Sequence, residues 1–170
     1  MVLSAPKGFF EALRAQARPV WNTPLALIAL TVFVPNLVLT LIGAQQASFL
    51  LTSLMIYVVF LVTLIGCSAL LTSIGWTRAQ EIVAYSGLTF VIGSVAFGIV
   101  SVIAPAGPGL VIGSTLMLIA LGMGWYRLYI GLEVMAFNRA VALRTAIIAP
   151  VVAFLITGFS GTLFRWFGFA

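Results

Sequence analysis

Histidine and aspartate are missing from this chain, lysine occurs once, as Lys7, and cysteine once, as Cys67. Zinc, haem and iron–sulfur centres take their protein ligands from His, Cys and carboxylates, so neither a metal site nor a protein-held cofactor is expected. A lone thiol excludes an intramolecular disulfide framework. Covalent catalysis lacks partners as well: no serine has a histidine to activate it, and Ser–Lys chemistry would have only Lys7 to draw on. The expectation is a protein that is not an enzyme. Charge of either sign is scarce, at 6% of residues, and the acidic groups are Glu11, Glu81 and Glu133.

What fills the chain instead is hydrocarbon. Of 170 residues 63% are hydrophobic, whereas a soluble domain carries roughly 25% charged residues. A chain of this length cannot hide so much apolar surface from water, so lipid must cover most of its exterior. The net charge of +5 does not suggest nucleic acid. The basic residues stand singly between apolar runs and form no patch or stripe able to neutralise phosphates.

The runs predict an all-α, polytopic bundle of five transmembrane helices, over about 24–43, 47–76, 82–104, 110–136 and 139–159. Residues 1–22 form an amphipathic segment at the membrane interface, and 160–170 a short interfacial tail rich in aromatics. The polar stretch before the first run is long for a signal peptide, and the run can itself span, so it is expected to be retained. Pro35 and Asn36 interrupt it and imply a kink packed against protein. The second run exceeds the ~20 residues a span needs and is expected to tilt or project. The cluster Pro105-Ala106-Gly107-Pro108-Gly109 marks a tight, non-helical loop.

Lys7, Arg14 and Arg18 precede the first span, Arg78 lies between the second and third, and Arg127, Arg139 and Arg144 flank the junction of the fourth and fifth. Only Arg165 falls on the other side. By the positive-inside rule the N-terminus is cytoplasmic and the C-terminus outside. Trp21, Trp76, Tyr85, Trp125, Tyr126 and Tyr129 gather at the same helix ends, where amphipathic rings favour the headgroup level.

Lys7, Glu11, Arg14 and Arg18 recur at helical spacing, with Phe9, Phe10, Leu13 and Val20 away from them. This predicts an amphipathic helix lying on anionic lipids of the inner leaflet, with Lys7, Arg14 and Arg18 as a lipid or partner surface. Arg127 is placed close to the inner boundary, where it can snorkel. Glu81, Arg127, Glu133 and Arg144 are expected to form an interhelical charge cluster locking the third, fourth and fifth spans. Small residues four apart, at Ala69 and Ser73, Ser94 and Gly98, Ala120 and Gly124, and Ala149 and Ala153, suit close helix packing.

The junction leading into Ala84-Tyr85-Ser86-Gly87-Leu88 opens the third span. Trp125-Tyr126-Arg127-Leu128-Tyr129-Ile130-Gly131-Leu132-Glu133 closes the fourth, and Asn138-Arg139-Ala140 enters the fifth. With the basic N-terminal segment and five spans, this order of parts resembles the Yip1 family over about residues 24–160. Eukaryotic members are linked to Rab-type small GTPases and to trafficking or shaping of internal membranes. Here the cytosolic N-terminal region is short and lacks the acidic, aromatic motifs of that branch. The resemblance therefore implies a prokaryotic-type member in the plasma membrane, with small-GTPase binding not expected. Its implied role is a non-enzymatic one in membrane organisation or as an adaptor. Expected partners are membrane lipids, other membrane proteins or a second copy. Two alternatives stand beside it: an accessory subunit of a respiratory, photosynthetic or transport assembly, and a small transporter or channel component. The last is disfavoured because no helix carries a full-length polar stripe and no internal repeat is found.

Overall fold

The computed structural model describes residues 5–16, 22–43, 50–104 and 106–166. Among these there are six helices and no strand: α1 (Pro6–Ala15), α2 (Asn22–Leu41), α3 (Leu50–Thr72), α4 (Trp76–Ile103), α5 (Ala106–Ala136) and α6 (Arg139–Trp166). Helices α2 to α6 are each long and apolar enough to cross a bilayer. Leu25, Phe33, Leu41, Leu70, Val102, Leu118 and Phe154 are among the many large apolar side chains they leave exposed, a surface that only lipid can cover at low cost. The protein is a multi-pass membrane bundle.

Several boundaries differ from those read in the sequence, each for a local reason. The second span stops at Thr72, because Ser73 turns into the left-handed region at φ 56. Trp76 then opens α4 with Gly75 as its N-cap. Residues 76–81, assigned to the loop and the preceding helix, thus form the first turn and more of the third span. The cluster at the other end is not all loop: α5 already begins at Ala106 and includes Pro108 and Gly109. Proline is tolerated in a first turn, where its missing N–H would have no helical partner. The expected tail is mostly helical, since α6 continues to Trp166; residues 167–170 lie outside the described residues, as do Arg18, Val20 and Trp21.

The junction between α5 and α6 is built by two adjacent residues. Phe137 adopts φ 54 and ends α5. Asn138 Oδ1 then accepts from the backbone N–H groups of Ala140 and Val141 at 3.0 and 3.1 Å, capping α6.

Helix α4 is the centre of the bundle, packed most extensively on α5, then on α2, while α6 lies chiefly against α3. The closeness depends on missing side chains. A Cβ on Gly93 would stand 2.3 Å from Ala120 Cβ, and one on Gly98 2.5 Å from Val38 Cγ1. On α6 the stripe Ala142, Ala146, Ala149 and Ala153 is at most 1% exposed. In lipid such close approach gives the packing that water would otherwise drive. Pro35 and Asn36 are both buried within α2. Asn36 Nδ2 donates to Val32 O at 2.8 Å, beside the point where proline removes a backbone donor.

Candidate functional site

The end of the bundle formed by the start of α4, the end of α5 and the start of α6 holds nearly all the described charges. Across it lies α1. Its apolar face is turned to protein: Phe10 is fully buried and Leu13 is 5% exposed. Phe10 fits over Gly131, where a Cβ would come within 3.1 Å of the ring and 2.6 Å of Ile82 Cγ2. Phe9 meets Tyr85 edge-to-face, with centroids 4.8 Å apart. The apolar face expected to rest on lipid is covered instead by α4 and α5 at Phe10 and Leu13. An amphipathic pattern identifies the apolar face of a helix but not the medium that covers it.

Two arginines fasten α1. Arg78 on α4 donates through Nη1 to Glu81 Oε2 at 2.8 Å and to Leu13 O at 3.0 Å, and through Nη2 to Gln16 O. Arg14 on α1 donates to Val134 O at 3.1 Å and lies 4.4 Å from the Phe137 ring centroid. Each guanidinium thus meets carbonyls at or just beyond the C-terminal end of a neighbouring helix, where the last four have no helical donor and the dipole favours a cation. Glu81 is fully buried, and the Arg78 side chain, 20% exposed, neutralises it.

Of the four residues expected to cluster, Glu81 is tied to Arg78, and Arg127 is 2% exposed within the bundle. Burial of Arg127 replaces the expected snorkelling; both it and Glu81 have further interactions. Glu133 is half-buried and Arg144 exposed, and among the described residues these two form no ion pair with each other. On the expected lipid or partner surface, Lys7 is exposed, Arg14 is exposed but engaged as above, and Arg18 lies outside the described residues. In the sequence Arg78 reads only as a topology signal. Its i,i+3 spacing to Glu81 was the available clue. Nothing local pointed to Phe137 as the seat for Arg14.

Among the described residues no group of three or more His, Cys, Asp or Glu could hold a metal. The five membrane helices also line a cavity of about 490 Å³, open on one side, with an almost wholly apolar wall.

No protein-family model matches the chain, and no curated protein or solved structure shows significant similarity to it.

Proposed function

We propose that this is a non-enzymatic, Yip1-like protein of the prokaryotic type, resident in the plasma membrane and acting through protein or lipid contacts. Its charged end faces the cytoplasm and its C-terminus the outside. The observation that carries this assignment is the docking of α1. A short helix that would be free to move at the surface is tied by Arg78 and Arg14 to two membrane helices. Its exposed residues, among them Lys7 and Glu11, are thereby presented in one orientation. A surface ordered in advance loses less entropy when a partner binds. The excess of arginine at this end supports the cytoplasmic placement. The partners are lipid headgroups, other membrane proteins or a second copy; nucleic acid and small GTPases are not expected.

Extraction in gentle detergent, native electrophoresis and mass spectrometry of the band test the proposal. The expected result is migration with itself or with a small set of membrane proteins, dispersed by a combined Lys7→Glu and Glu11→Lys exchange. Stoichiometric co-migration with a large respiratory, photosynthetic or transport enzyme, unaffected by the exchange, would replace it with the accessory-subunit role.

A further inference from the structure

The cavity within the bundle is the feature that the docked α1 leaves unexplained. At about 490 Å³ it falls inside the range of roughly 300–1,000 Å³ usual for small-molecule sites. Interiors are otherwise close-packed, and an open recess of this size is filled from the membrane, whose molecules supply the contacts its walls lack. Its rim includes Leu121 and Trp125 of α5 and Phe154 of α6, all exposed on the apolar exterior of the bundle. Entry is therefore from the hydrocarbon of the membrane, and the occupant is a molecule dissolved there.

One polar group narrows its chemistry. Thr31 and Thr157 in the wall donate to carbonyls of their own helices, Leu27 O at 2.8 Å and Ala153 O at 2.6 Å. Ser86, also in the wall and 6% exposed, does not: its Oγ has no hydrogen-bond partner among the described residues. Ser86 directly follows Tyr85, which meets Phe9 of α1, so its hydroxyl lies just beneath the α1 cover at the charged end of the bundle. The wall carries no charged side chain, so nothing in it would hold a phosphate or its headgroup. An unpaired hydroxyl in hydrocarbon is costly, and a ligand oxygen removes that cost.

We propose that the cavity binds a neutral lipid that moves within the hydrocarbon layer and carries a hydrogen-bond-accepting oxygen, which Ser86 Oγ meets. A quinone carbonyl and the hydroxyl of an isoprenoid alcohol share this chemistry. The rings of Tyr57 and Phe90 in the wall, with centroids 6.1 Å apart, supply flat apolar surface for either. The site does not depend on the cytoplasmic surface assigned above.

The test uses the full chain in phosphatidylcholine nanodiscs titrated with decyl-benzoquinone, which quenches tryptophan fluorescence on close approach. Saturable quenching is expected, and Trp125→Phe removes the saturable part. Ser86→Ala, which deletes one oxygen and leaves packing intact, weakens binding by roughly three- to tenfold, the worth of one hydrogen bond. Thr157→Phe fills the space and abolishes binding. Competition by geranylgeraniol supports a site that reads either oxygen; failure to compete supports one restricted to the carbonyl. Quenching that rises linearly with added quinone, alike in wild type and Ser86→Ala, overturns the proposal. So does equal displacement by squalane, which has no oxygen.

Discussion

Arg78 and Glu81 stand one turn apart on α4, joined at 2.8 Å, and the same guanidinium grips the last carbonyls of α1. A buried carboxylate, its counter-ion and the end of a separate helix are thus one unit. Removing the arginine leaves Glu81 buried without its partner on α4 and leaves the end of α1 without its donor. Arg78→Ala is expected to lower stability by about 2–3 kcal/mol, somewhat below the usual loss for a fully buried pair because the arginine is partly exposed. Thermal denaturation in detergent measures it. Trypsin cleavage at Arg14 should accelerate in parallel as α1 comes away.

Phe10→Ala tests the same docking from its apolar side. Truncating a fully buried phenylalanine costs about 3–5 kcal/mol in a core that stays assembled. Here α1 can detach, which limits the loss, so release of α1 is expected before the membrane helices unfold. Faster proteolysis of residues 5–16 with a nearly unchanged bundle midpoint is the expected pattern.

The two glutamates that the membrane helices carry at this end should behave differently. Glu81 is fully buried and ion-paired, while Glu133 is half-buried on α5. Glu81→Gln weakens the attachment of Arg78 and lowers the denaturation midpoint. Glu133→Gln is expected to stay within about 0.5 kcal/mol of wild type. Equal losses in both variants would restore a cluster in which Glu133 shares the load.

Glycine positions give a test of close packing that does not involve charge. Gly93→Ala places a methyl group 2.3 Å from Ala120 Cβ and must push α4 from α5, at a cost of about 1–3 kcal/mol. Gly122→Ala, where a Cβ meets nothing within 4 Å, should be neutral or stabilise by up to about 1 kcal/mol through helix propensity.

Much of this was legible from residue order, and the exceptions share a cause. Long apolar runs and arginine placement located the five spans. Ala120 and Gly124, and Ala149 and Ala153, were recognisable as packing pairs and do lie in tight regions of the bundle. Lys7, Glu11 and Arg14 disclosed α1, but not that Ile82 and Gly131 would receive Phe10. The break at Ser73 was hidden because Ile74 and Trp76 continue the apolar run across it. The cavity could not be anticipated: helices apolar on every side show no periodic face from which to infer what each one turns inward.

Single-cysteine labelling tests the threading on which the account rests. In a Cys67→Ser background, Lys7→Cys, Gly107→Cys and Asn138→Cys each place a thiol at an exposed position, and a membrane-impermeant maleimide is applied to intact cells. Gly107→Cys is expected to react at once, and the other two only after permeabilisation. Reaction of Lys7→Cys or Asn138→Cys in intact cells, with Gly107→Cys protected, would contradict the account.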